Sequence, residues 1–314
     1  MRWGLLSTAR INDAILDAGN AEVVAVASRD SERAREYADA RGIATAHGSY
    51  EALLEDPDVD VIYNSLPNAL HLPWSVRALE AGKHVLCEKP LSRRAAEVED
   101  AFDAAERAGR VLTEGFMWRH HPQADAARAL IADGAIGPLR LVRATFAGPV
   151  ARGEDPRLVR AMDGGALMDV GCYCVSGARA LTGAEPVAAE AQRIRGGDDV
   201  DLVLTGLLRF PGDVLASIDC AFTGPHRSGL EAIGETGALR LTDPWHAREP
   251  VIEVTRGDAP PERIPQERVD HYALQVADLE AAVRDGRPPR LGRDDALGQA
   301  RAIEALYASA ERAA

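Results

Sequence analysis

Short, nearly continuous apolar runs alternate with amphipathic stretches over the first third of the chain. Arg2–Leu6 and Val23–Ala27 read as strands buried on both faces, with a helix near Ile11–Ala18 between them. Ser31–Arg41 predicts a helix with Ser31 at its N-cap. Val59–Asn64 predicts another strand, followed by a helix through Trp74–Ala81 that ends at Gly82. His84–Cys87 and Val111–Phe116 are two more strands, separated by a long helix, Ala95–Ala108, that Gly109 stops. Strands and helices alternating at this spacing predict a doubly wound parallel sheet, with every strand ending on one edge.

After about residue 118 the pattern changes. A helix (Ala124–Ala132) ends at Gly134 and a strand follows at Leu139–Phe146. A loop rich in glycine, arginine and proline leads to a helix from about Gly165 to Leu181. Then come strand patterns with no helix between them: Val187–Ile194, Val200–Phe210, Val214–Phe222, Gly229–Gly234, Ala238–Leu241 and Val251–Thr255. Turn signals such as Pro211-Gly212-Asp213 lie between several of them, which predicts antiparallel pairing. Two closing helices, Tyr272–Asp285 and Asp294–Arg312, flank Gly286-Arg287-Pro288-Pro289. The expected fold is α/β: a nucleotide-binding domain over residues 1–118, then an α+β domain over 119–314 with a large, open, mainly antiparallel sheet.

Composition narrows the function. A chain of 314 residues suits two domains of ordinary size, and 46% apolar residues suffice for both cores. A net charge of −13 argues against nucleic acid or an anionic membrane as partner. The N-terminal apolar run is too short for a signal peptide, and no stretch approaches a membrane span. The four cysteines, Cys87, Cys172, Cys174 and Cys220, show neither a disulfide framework nor zinc spacing, and Cys172 and Cys174 read as helix packing residues. A cytoplasmic protein is the expectation. Among 36 basic side chains only Lys83 and Lys89 are lysines. Guanidinium holds its proton throughout the neutral range, whereas an ammonium can exchange one once its surroundings lower its pKa. Lys83 follows Gly82 at a helix end, where a cation suits the dipole. Lys89, between an acid and a proline after an apolar strand, reads as part of a proton-handling site.

The first strand-to-helix turn reads Ser7-Thr8-Ala9-Arg10-Ile11-Asn12. Ser7, Ala9 and Asn12 stand where a dinucleotide fingerprint carries its three glycines. Backbone amides of this turn remain available as phosphate donors, and the Ser7 and Thr8 hydroxyls can add to them. At the end of the second strand Ser28-Arg29-Asp30 replaces the acid expected for NAD. Ser28 and Arg29, joined by Arg33 one turn on, suit the 2′-phosphate of NADP, so NADP is favoured over NAD. The loop Leu66-Pro67-Asn68 leaves the fourth strand on the same edge, where Pro67 and Asn68 can line the ribose and nicotinamide. His71 is either a ligand contact or a helix-start residue.

Three motifs are similar to those of the glucose–fructose oxidoreductase/inositol dehydrogenase/rhizopine-catabolism (Gfo/Idh/MocA) family. They are Ala81-Gly82-Lys83-His84-Val85-Leu86-Cys87-Glu88-Lys89-Pro90, Gly164-Gly165-Ala166-Leu167-Met168-Asp169-Val170-Gly171-Cys172-Tyr173 and Glu114-Gly115-Phe116-Met117-Trp118-Arg119-His120-His121-Pro122. The chain resembles the branch holding glucose–fructose oxidoreductase, xylose dehydrogenase and dihydrodiol dehydrogenase. The resemblance spans nearly the whole chain; Ser7 and Ala9 depart from the usual glycines. It implies a Rossmann domain, a C-terminal sheet that packs against another subunit in a homodimer or homotetramer, and hydride transfer between NAD(P) and a sugar, cyclitol or cyclic diol. It also implies Lys89 and Tyr173 as the catalytic pair. Tyr173 takes the hydroxyl proton, and Lys89 stabilises a phenolate whose unperturbed pKa is about 10. Glu88 joins the cofactor-binding residues, while Asp169 and Arg119 are candidates for holding substrate. Gly165 and Gly171 are expected to let cofactor or substrate approach the helix. Trp118 is either packing or a ring platform. His120 and His121 lack acidic or cysteine partners for a metal, and none is expected. The loop over residues 149–163 either covers substrate or lies exposed. Two other readings keep the same fold: an NAD-dependent glycosidase and a non-catalytic sugar or cofactor sensor.

Overall fold

The computed structural model describes residues 1–150, 153 and 155–312. The chain forms two compact units, Met1–Met117 with Asp270–Leu297, and Trp118–Val269 with Gly298–Ala314.

The first unit is built on β1 (Arg2–Leu5), α1 (Asn12–Asp17), β2 (Glu22–Ala27), α2 (Ser31–Arg41), β3 (Thr45–His47), α3 (Tyr50–Glu55), β4 (Val61–Asn64), α4 (His71–Glu80), β5 (His84–Glu88), α5 (Ala95–Ala108) and β6 (Leu112–Gly115). All six strands are parallel, in the order β3-β2-β1-β4-β5-β6. The winding reverses beside β1, and ligands of such sheets bind outside the strand ends at that point. Trp3, Leu5, Val26, Val61, Tyr63 and Leu86 fill one side of the core together with Val276 and Leu279, which lie far along the chain. The helix that carries these last two residues therefore belongs to the nucleotide unit, and Trp3 Nε1 donates to its Glu280 at 2.9 Å.

Local chemistry differs from expectation at three places. Asp30, not Ser31, caps α2: its carboxylate accepts from the amides of Glu32 and Arg33. Lys83 does not act on its own helix end. Its ammonium is buried and donates to the carbonyls of Asp56 and Val59 just after α3, at 2.6 and 2.8 Å. The pair β3 and α3 has no counterpart in the predicted elements.

The second unit holds α6 (Pro122–Ala132), β7 (Leu139–Ala147), α7 (Cys172–Thr182), β8 (Ala188–Arg195), β9 (Asp201–Phe210), β10 (Val214–Ala221), β11 (Arg227–Gly234), β12 (Gly237–Leu241), β13 (Val251–Arg256) and β14 (Glu262–Pro265). Then come α8 (His271–Asp285), which is the late helix of the first unit, and α9 (Arg293–Arg312). The sheet order is β14-β13-β12-β11-β7-β10-β9-β8. Neighbours are antiparallel except β7 and β10, which run parallel from Leu141/Leu215 to Ala147/Ala221. α7 packs on β7, β10 and β11 and covers one face of the sheet. Residues pointing to that face, such as Val142, Leu204, Leu208, Ile218 and Leu230, are buried. Ile194, Leu207 and Leu215, on the other strand positions, are 64%, 51% and 47% exposed, so the opposite face is open in the single chain.

Candidate active site

The turn after β1 replaces glycines with a buried hydrogen-bond network. Asn12 Nδ2 donates to the Ser7 carbonyl at 2.8 Å, Ser65 Oγ donates to Asn12 Oδ1 at 2.5 Å, and the Ser7 and Ser65 hydroxyls lie 2.7 Å apart. Ser7 Oγ also accepts the Ala9 amide at 3.0 Å. The Ser7 hydroxyl thus fixes the turn from inside rather than standing open to a phosphate. Ile11 caps α1 with no side-chain hydrogen bond, and the amides of Thr8, Arg10 and Ile11 have no acceptor among the described residues. Those three donors are what the turn can offer to a pyrophosphate.

Beside them lies a hollow of about 340 Å3 lined by Thr8, Arg10, Arg33, Glu36, Tyr37 and Arg41. Arg41 is already committed: it pairs with Asp13 at 2.8 Å and stacks 3.8 Å over the Tyr37 ring. Arg10, Arg29 and Arg33 are exposed and form no ion pair among the described residues. Ser28 Oγ accepts the Asp30 amide at 3.2 Å, which shapes the end of β2. Unpaired guanidiniums beside a hollow at this corner fit a phosphate dianion, with Glu36 as the one acid in the lining.

β5 delivers Glu88 and Lys89 to the same sheet edge, and the Lys89–Pro90 peptide is cis. Glu88 and Lys89 are half-buried; Tyr63 donates to Glu88 Oε1 at 2.6 Å. Tyr272, on α8, lies in the field of both: burial foremost, then Glu88, raises its pKa, and Lys89 offsets part of that rise. No sequence signal pointed to Tyr272, because its proximity depends on α8 joining this unit. The turn after β4 is held by Asn64, which accepts the Leu66 amide at 3.2 Å, and Pro67 accepts the Leu70 amide at 2.8 Å. His71 is 1% exposed, and both its ring nitrogens address backbone carbonyls.

In the second unit the helix with Asp169 and Tyr173 begins as a π-helical turn, Leu167–Gly171, before α7. Asp201, 1% exposed, caps it: one oxygen accepts the Leu167 amide at 2.7 Å and the other the Tyr307 hydroxyl at 2.8 Å. Burial pushes the Asp201 carboxyl above its ordinary range, and these hydrogen bonds offset part of that rise. A side chain on Gly165 (φ +129°) would meet Asp201 at 2.2 Å, and one on Gly171 would meet Cys220 Sγ at 2.6 Å. These glycines therefore admit the protein's own side chains, which corrects the expectation that they make way for a ligand. Asp169 pairs with Arg157 at 3.4 Å, and Arg157 is also held by Asp155 at 2.6 Å. Gly165 donates to the Arg157 carbonyl at 2.9 Å, so Asp155–Asp163 is folded back onto the helix start. Ala151, Arg152 and Glu154 of the loop over 149–163 lie outside the described residues. Tyr173 is buried, its ring edge-on to Phe146 at 5.4 Å and tilted on Trp245 at 5.8 Å. Arg119 lies 3.5 Å from Ser176 Oγ. Trp118 is fully buried edge-on to Trp245 and is packing. His121 caps α6 by accepting the Gln123 amide at 3.1 Å. Cys172 and Cys174 are buried in α7.

A six-stranded doubly wound sheet with unpaired amides in the turn after β1, in one chain with an α+β unit, is the architecture of a nicotinamide-nucleotide oxidoreductase. Residues 3–116 match the oxidoreductase family with NAD-binding Rossmann fold, and residues 124–240 match the GFO/IDH/MocA C-terminal domain. The chain belongs to the GFO/IDH/MocA oxidoreductase family. It is 36% identical to D-xylose 1-dehydrogenase (NADP(+)) 2 of Haloferax volcanii, over 100% of this chain and 98% of that one. It is 38% identical to the rabbit (Oryctolagus cuniculus) trans-1,2-dihydrobenzene-1,2-diol dehydrogenase, over 76% of this chain and 73% of that one. A 3-ketoreductase from Actinomadura kijaniata, solved with NADP and TDP-benzene, superposes with a TM-score of 0.91 at 32% identity, covering 98% of this chain and 97% of that one. That reductase has also been solved with one tyrosine replaced by phenylalanine and with one lysine replaced by alanine or glutamate. Among the described residues no helix is long and apolar enough to cross a membrane.

Proposed function

We propose that the protein is an NADP-dependent dehydrogenase or reductase of a sugar, cyclitol or related cyclic diol, with Lys89 and Tyr173 handling the proton. The observation that carries this reading is the loop after β5, where a half-buried lysine stands at the ligand edge of a parallel sheet in a chain with one other lysine. The named relatives, a xylose dehydrogenase, a diol dehydrogenase and a ketoreductase, supply the substrate class. The tyrosine and lysine variants of the ketoreductase support a mechanism that uses those two residue types. Support for NADP over NAD comes from Arg10 and Arg33 at the hollow near β2, and from the cofactor in the relatives' names.

The chemistry that NADP would supply when bound is hydride transfer. The residues of this chain do the rest. The amides of Thr8, Arg10 and Ile11 would hold the pyrophosphate, while Ser28, Arg29 and Arg33 would hold the ribose phosphate. Ala9, Leu66, Pro67, Asn68 and Glu88 shape the remaining contact surface. Tyr173 takes the proton of the reacting hydroxyl, or donates it in the reducing direction. The Lys89 ammonium lowers the energy of the phenolate. Asp169 and Arg119 orient substrate hydroxyls. We also assign the open face of the β7–β10 sheet to a second copy of the chain, in a cytoplasmic homodimer or homotetramer.

The test is NADP reduction over a panel of aldoses, cyclitols and cyclic diols, followed by Tyr173→Phe on the best substrate. The expected result is a kcat lower by ~10²–10⁴, the usual worth of general acid–base assistance, with NADP affinity retained. Undiminished turnover in Tyr173→Phe removes Tyr173 from the reaction.

A further inference from the structure

We propose that His71 is a doubly protonated clamp that fixes the Lys89 loop to the turn after β4, and is thereby a positioning residue for the reaction. His71 opens α4 and is 1% exposed. Its Nδ1 lies 2.8 Å from the Pro90 carbonyl oxygen and its Nε2 2.7 Å from that of Leu66. A carbonyl oxygen only accepts, so each of these contacts needs an N–H on the ring. Neutral imidazole has one N–H and imidazolium has two. In the neutral ring one nitrogen lone pair would face a carbonyl lone pair inside a hydrogen-bond distance, in a place water does not reach, which is costly. In the cation both contacts become charge-assisted hydrogen bonds.

The two carbonyls belong to different segments of the site. Leu66 precedes the Pro67–Asn68 turn assigned to the cofactor, and Pro90 follows Lys89. The ring spans them as a strut of fixed length. Both ends are anchored independently. Asn64 donates to the His71 carbonyl at 2.8 Å and to Ser75 Oγ at 3.0 Å, and accepts the Leu66 amide. On the other side the Leu91 amide donates to Glu114 Oε1 at 2.9 Å, which holds the chain just beyond Pro90. Loss of the strut removes this tie between the peptide after Lys89 and the turn after β4, and with it one constraint on where the ammonium stands.

Among the ionisable groups on the elements packed against the start of α4, the carboxylates favour a cation there and Lys89 opposes it. β4 contributes Tyr63, whose hydroxyl is given to Glu88. β5 contributes Cys87, whose thiol burial pushes well above its ordinary value, and the acid Glu88, followed by Lys89. α5 contributes Glu97, which accepts from Ser92 and pairs with Arg94. Glu114 on β6 adds a buried carboxylate two residues' reach from Pro90 through Leu91.

Nitrogen-15 correlation spectra of the cofactor-free protein at pH 8 decide the protonation, since an unperturbed histidine (pKa about 6.5) is neutral there. One histidine with two protonated ring nitrogens is expected, missing from the spectrum of His71→Gln. If no histidine of the wild-type protein is doubly protonated at pH 8, the clamp is overturned, whether or not His71→Gln folds. The positioning role rests on the reading of Lys89 given above and is tested separately by a double-mutant cycle in the NADP holoenzyme. His71→Gln is expected to lower kcat at least tenfold, and to cost little more in a background that already carries Lys89→Arg. Fully multiplying losses would show that His71 acts elsewhere and refute the positioning role. Undiminished turnover in Lys89→Arg alone would overturn the catalytic reading instead, leaving the spectrum to stand by itself.

Discussion

At the scale of single residues, the arginines around the β2 corner carry the sharpest prediction. Arg29→Ala/Arg33→Ala should raise KM for NADP by tenfold or more while leaving KM for NAD within about threefold. A guanidinium–phosphate contact at either arginine would be charge-assisted and would have no counterpart in NAD. Steady-state kinetics with both cofactors checks this, and equal losses with both would assign the arginines to the pyrophosphate instead. Much of the candidate site was legible because scarcity and spacing point to residue type: two lysines, one of them in Glu88-Lys89-Pro90, and an arginine–serine pair after the second strand. Side-chain direction was not legible. Ser7 reads as a phosphate donor until Ser65, 58 residues away, is found 2.7 Å from its hydroxyl. Gly165 and Gly171 read as room for a ligand until Asp201 and Cys220 are seen to fill that room. Such facts depend on long-range partners, which no local pattern encodes.

At the scale of elements, the half-buried His84 and the buried Asp201 link strands and helices to pH and stability. His84 Nδ1 accepts the Val111 amide at 3.0 Å at the entry to β6, which requires the neutral ring. Burial, with Arg110 nearby, lowers its pKa from 6.5 to about 4. Between those values the unfolded chain binds more protons than the native one, so this contribution is complete above pH 6.5 and is lost as the pH falls towards 4. His84→Gln keeps an acceptor that does not titrate. Its chemical denaturation midpoints at pH 7.5 and 4.5 should differ less than those of the wild type, and an identical pH dependence would exclude His84 as the cause. Asp201 caps the π-helical turn from a neighbouring strand. Asp201→Ala leaves the Leu167 amide and the Tyr307 hydroxyl unsatisfied at roughly 1–3 kcal/mol each. A melting temperature unchanged from wild type would contradict that. The doubly wound order of the first unit followed from strand and helix alternation. The pair β3 and α3 did not, because Thr45–His47 is three residues long and starts at an exposed edge. The parallel pairing of β7 with β10 was equally hidden: turn signals predict neighbours in sequence, whereas this pair is joined through the chain that carries α7.

At the scale of the whole molecule, the open sheet face predicts association. Leu207→Lys should shift the mass measured by light scattering towards that of one chain, because a charge put in place of this exposed leucine resists burial against a second copy. A wild-type protein already at the mass of one chain would remove the assignment of that face to a second copy. A different consequence follows from α8. Val276 and Leu279 complete the core beneath Trp3 and Val26, yet they are synthesised more than 150 residues after β6. The nucleotide-binding unit thus stays unfinished until α8 has been made. An isolated segment ending at Met117 should expose the apolar patch that α8 covers and need a chaperone, or α8 supplied in trans, to remain in solution.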